Sequence, residues 1–177
     1  MTGLLRRLFT RFRREGGNAT IEFVILFPVF IGMFGSAFEG GLMSIRHAML
    51  ERATDLVIRD LRLGRGATPT HAQMKTDICT LAGIIPDCGT ALHIELERIS
   101  PDDWAYRTGK VQCIDRDDEI VPVINVTPGT SNDLMLVTVC AVVEPMVPLT
   151  GFALYLPRVN ESDYALVTMS AFVNEPR

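Results

Sequence analysis

One stretch near the N-terminus has residue types and a spacing that suggest chemistry: Gly16-Gly17-Asn18-Ala19-Thr20-Ile21-Glu22-Phe23. A glycine closes an arginine-rich leader, and five residues later one carboxylate, Glu22, stands in an otherwise uncharged apolar run. A carboxylate inside a membrane helix costs up to ~3 kcal/mol at the bilayer centre and less towards the interface, so such a group generally has a partner. Cleavage after Gly17 would create that partner, because the new α-amino group of Asn18 carries a positive charge. In an assembly, Glu22 of one subunit would pair with that ammonium on its neighbour and select the axial register. The plainer alternative is an uncut anchor whose Glu22 reaches the headgroups from the first helical turn, where the helix dipole favours an acid.

The element that must carry this motif is a helix. From Ala19 to Phe38 there are twenty residues with Glu22 as the sole charge. A helix of that length spans ~30 Å, the thickness of the hydrocarbon layer. Arg6, Arg7, Arg11, Arg13 and Arg14 precede it, so the positive-inside rule puts the N-terminus in the cytoplasm. Pro28 has no N–H to give, so a kink or one unpaired carbonyl is expected within the span. Beyond Gly40 and Gly41, apolar residues recur at Leu42, Ile45, Met49, Ala53 and Leu56, while Arg46, Glu51, Arg52, Asp55 and Arg59 lie between them. This spacing predicts an amphipathic continuation over 41–63, ended by Gly64, Gly66 and Pro69. A secretory signal cut near Ala37 is the rival, but the apolar run is long for one and the helical pattern continues past it.

Downstream the periodicity falls to two. After a short helix near Ala72–Leu81, Leu92, Ile94 and Leu96 alternate with His93, Glu95 and Glu97. Strands are expected at Lys110–Ile114, Glu119–Val126, Asp133–Glu144 and Tyr164–Val173, with Pro122 marking an edge. The fold class is α+β: a long N-terminal helix packed on an antiparallel sheet. The expected organisation is a leader over 1–17, a transmembrane helix over 18–40, its amphipathic extension over 41–63, and a β-rich periplasmic domain over 64–177.

The formal charge of −4 conceals an uneven distribution. Without residues 1–17, 12 basic and 20 acidic side chains remain, a formal charge of −8. An acidic body excludes nucleic acid as a natural partner. Cys79, Cys88, Cys113 and Cys140 all lie beyond the apolar run, which suits disulfides in an oxidising compartment. Of the three possible pairings, Cys79–Cys88 with Cys113–Cys140 is favoured: one short loop and one bond between two strands. Free buried thiols and zinc remain as alternatives, although no C-x-x-C pair supports zinc. His47 and Glu51 have a metal-compatible spacing that reads better as a solvated helix face. Asp115-Arg116-Asp117-Asp118-Glu119 reads as a charged hairpin turn, with calcium as the alternative. No nucleophile–base arrangement marks an enzyme, and no cofactor is expected.

The run GGNATIEFVILFPVFIGMFGSAFEGGLMSIRHAMLERATDLVIRDLR resembles the start of the TadE family, the pseudopilins of tight-adherence (Flp-type) pilus systems. The matching features are Gly17, Glu22-Phe23, Pro28, a second acid at Glu39, and Arg46 with Ala48. The ending Phe172-Val173-Asn174-Glu175-Pro176 is similar as well. The resemblance implies a non-enzymatic minor pseudopilin, cut after Gly17 by a prepilin peptidase and held in the bacterial inner membrane. Its implied partners are a companion minor pseudopilin, the major Flp-type pilin, the inner-membrane assembly platform and membrane lipid. Its signature is removal of residues 1–17, lost when Gly17 or Glu22 is changed. The alternative is an uncleaved single-pass protein with a periplasmic binding or scaffold domain.

Overall fold

In the computed structural model, the structure describes residues 19–63, 70–100, 111–116, 129–147, 158–160 and 162–175. The first element is one unbroken helix, α1, over Ala19–Arg62. It passes through Pro28, which has no N–H to offer the carbonyl of Val24, and through the glycines at 40 and 41. Helix α2 follows over His71–Leu81. A capping box opens it: Gln73 N–H donates to the Thr70 hydroxyl, and Thr70 N–H donates to the Gln73 side chain. A single turn, α3 (Cys88–Ala91), leads into the sheet.

The sheet is an antiparallel meander of β1 (Leu92–Ile99), β2 (Leu134–Val143) and β3 (Tyr164–Val173), in that order. Register is set by the apolar face. Leu92, Ile94 and Leu96 stand opposite Ala141, Val139 and Val137, and Ala141 in turn faces Leu166. Because side chains alternate, a one-residue slip would send this whole set to the wrong face. The stripe packs with Leu50, Ala53, Val57 and Ile58 of α1 and Met74 and Ile78 of α2 into one core. The architecture is therefore α+β, as its alternating strands and long helix predict.

Two expectations are corrected. The buried stripe of α1 is Glu39, Arg46, Leu50, Ala53, Thr54, Val57 and Ile58. Of the expected apolar series only Ala53 is in it; Ile45 and Leu56 are exposed, Leu42 and Met49 half-buried. The predicted face was rotated because Arg46 was assigned to the solvent side, whereas the fold gives it buried partners. Residues 111–114 form no strand, and residue 110 lies outside the described residues. Cys113 is tied across to β2 through its sulfur instead of by a backbone ladder. The expected strand Glu119–Val126 and the turn residues 117–119 lie outside the described residues.

Candidate functional site

From residue 19 to residue 34, α1 is exposed throughout and packs on none of the described residues. From Ile21 to Phe34 its large apolar side chains are 45–70% exposed, and the helix is long and apolar enough to cross a membrane. Twelve large apolar side chains from Ile21 to Phe38 are exposed in this way. Moving them from water to lipid is worth on the order of 15 kcal/mol, as much as the whole stability of an ordinary domain. Such a stem belongs in an apolar environment. Glu22 and Phe23 lie on its exposed first turns, and the Phe23 ring stacks on Phe27 at 4.8 Å. Gly17 and Asn18 lie outside the described residues, so the geometry around the expected cut is not described.

Where stem meets sheet, charged groups are buried. Glu39 is fully enclosed, at 0% exposure. Both its oxygens accept from Met146 N–H, at 3.2 and 3.1 Å, and Oε2 also accepts from Val147 N–H at 3.2 Å. These two amides lie three and four residues beyond the end of β2, and the carboxylate accepts from both. Seven residues on, and so on the same helix face, Arg46 is 6% exposed. Its Nη1 donates to Tyr164 Oη at 3.1 Å and to the Glu144 carbonyl at 3.4 Å. Burial pushes the Tyr164 hydroxyl above its ordinary pKa, and the adjacent Arg46 works against that rise. One turn of the chain after β2 and the first residue of β3 are thus both latched to α1. Sequence reasoning found Glu39 only through a resemblance and misplaced Arg46. The available signal was their i,i+7 spacing in line with Leu50.

The same helix side touches the sheet edge through His47, whose Nε2 donates to the Val167 carbonyl at 3.0 Å. The four cysteines form Cys79–Cys88 and Cys113–Cys140 bonds, the pairing the spacing favoured. The first closes α2 onto α3. The second fastens a non-strand segment to β2, not two strands to each other. Next to it, Arg116 donates to the Val142 carbonyl at 2.7 Å and pairs with Glu144 at 3.3 Å. Asn160 bridges Asp115 and Asp163 through its amide. Here Arg116 supplies the positive charge among the acids. Among the described residues, no group of three or more His, Cys, Asp or Glu side chains is placed to hold a metal.

His93 is buried on β1, its Nε2 3.6 Å from Glu95 Oε1. Burial lowers its pKa below the ordinary 6.5; Glu95 opposes that shift and Lys75 adds to it. His71 is lowered too, first by burial and then by Lys75 and His93. The unfolded chain therefore takes up these protons first as pH falls through about 6.5. Stability from this pair is complete above that value and declines as pH drops towards the lower folded-state values. Thermal unfolding of the detergent-solubilised protein should show a falling Tm between about pH 7.5 and about pH 5.5. The His93→Gln variant should show a flatter profile; an unchanged slope would remove His93 from the explanation.

Residues 17–59 match the model of the TadE family, described as TadE-like protein. The match begins at the glycine of the expected cut and ends inside the sheet-packed half of α1, so it covers the stem and both latch residues, Glu39 and Arg46. No curated protein and no solved structure is significantly similar to the chain.

Proposed function

We propose that this protein is a non-enzymatic minor pseudopilin of a tight-adherence, Flp-type pilus system. The supporting observation is the coincidence of the TadE-like match with an apolar stem that leaves its lipid-length half uncovered. In this reading a prepilin peptidase removes residues 1–17, and the mature chain begins at Asn18. Residues 18–40 hold it in the inner membrane with the N-terminus cytoplasmic, and residues 64–177 fold in the periplasm. Glu22 then pairs with the Asn18 ammonium of a neighbouring subunit and sets the register. The companion minor pseudopilin, the major pilin and the assembly platform are the partners this role requires.

Intact mass and N-terminal sequencing of protein from membranes, with and without a prepilin peptidase, test the reading. The expected result is a chain starting at Asn18 only when the peptidase is present, and an uncut Gly17→Leu variant. An intact wild-type chain in both cases would replace this reading with the uncleaved membrane-anchored scaffold. A start near Phe38 would mean a secretory signal.

A further inference from the structure

We propose that the turn after β2, at Met146, meets the lipid surface beside the stem and gives the protein a second membrane contact. This rests on the reading of α1 as a membrane stem and goes beyond it, because a single stem leaves the whole molecule, stem and sheet together, free to tilt in the bilayer.

Two observations support the contact. The first is level. Ala19 and Glu39 are twenty residues apart on one continuous helix, ~30 Å along its axis and so the depth of the hydrocarbon layer. Glu39 therefore stands where the stem leaves the bilayer, and its bonds to Met146 and Val147 hold those residues at that height. The second is exposure. Met146 is 61% exposed although its N–H is clamped, and Phe38, one residue before the clamp, is 52% exposed. Exposed apolar side chains thus stand both at the end of the stem and on the turn clamped to it.

Charge narrows the kind of contact. With a formal charge of −8 on residues 18–177, anionic headgroups repel the body of the protein. Attachment must come from apolar side chains entering the interface and should be insensitive to salt.

The full chain, reconstituted in vesicles of phosphatidylethanolamine and phosphatidylglycerol, can report this by tryptophan fluorescence. Two variants are compared with wild type, whose Trp104 supplies the common background: Met146→Trp and, as stem control, Phe23→Trp. Spin-labelled phosphatidylcholine is added with the label either near the headgroup or at mid-chain. The expected result is blue-shifted emission from position 146, lost to the headgroup-proximal label in low and high salt alike, with position 23 also quenched by lipid label. If position 23 is quenched while position 146 stays open to aqueous acrylamide and untouched by either label, the second contact is overturned and the stem stands. If position 23 is not quenched, the stem reading itself fails and takes this proposal with it.

Discussion

The Glu39→Ala variant should lose about 3 kcal/mol of stability, because it removes the charged acceptor of two backbone donors and a hydrogen bond to a charged group is worth roughly 1.5–3 kcal/mol. The two donors are the N–H groups of Met146 and Val147, and the fully buried carboxylate is the acceptor that the structure places on them. Denaturant unfolding of the detergent-solubilised protein, followed by near-ultraviolet circular dichroism, measures the loss. Glu39→Gln keeps one acceptor oxygen and turns an amide donor towards the same site, so it should fall between wild type and Glu39→Ala. An Ala variant within about 0.5 kcal/mol of wild type would show that the amides find other partners and that the latch is incidental. The consequence reaches past stability. Arg46 and Tyr164 hold the start of β3 to the same helix face, so with Glu39 they fix the angle between stem and sheet. A subunit placed in an assembly by its stem presents its domain correctly only if that angle is kept.

Removing the Cys113–Cys140 bond should cost a similar amount. In the chain-entropy model, itself disputed, a closed loop of 27 residues is worth about 3.5 kcal/mol, against about 2.5 kcal/mol for the 9-residue loop of Cys79–Cys88. Cys140 lies in the centre of β2 and is buried, so the cleaner variant is the double alanine, which leaves no polar hydroxyl in the sheet. Cys113→Ala/Cys140→Ala should unfold at lower denaturant than Cys79→Ala/Cys88→Ala. The reverse order would mean that the 111–116 segment is held by Arg116 and not by its sulfur. Alkylation of the untreated protein should find no free thiol, since both bonds are closed and the chain has four cysteines.

Local patterns made most of the architecture legible. Tyr164–Val173, ten residues without a charge, is β3 residue for residue, and the Asp133–Glu144 expectation overshoots β2 by one at each end. The helix from Ala19 was readable because twenty residues with one charge leave little alternative. The strand expected at Lys110–Ile114 failed for a different reason. Val111 and Cys113 have the spacing of a strand, but five residues are too few to fix one, and residues 111–114 are held by a disulfide and a neighbouring arginine. The helix face failed by rotation. Hydrophobicity alone assigned Arg46 outward, and only distant residues could reverse that: Tyr164 and Glu144, 118 and 98 positions away in sequence.

The residues by themselves determined the stem, the glycine–glutamate spacing, the α+β class and the favoured cysteine pairing. Each of these follows from runs, periods and counts within a short window of chain, where burial in lipid or in a sheet face leaves a direct imprint on composition. The tertiary structure alone decided what Glu39, Arg46, His47 and His93 do. A charged or polar side chain carries no label for burial; whether it stays in water depends on which backbone donors and carbonyls the fold brings to it. For Glu39 those donors come from 107 and 108 residues further along the chain, beyond the reach of any local pattern.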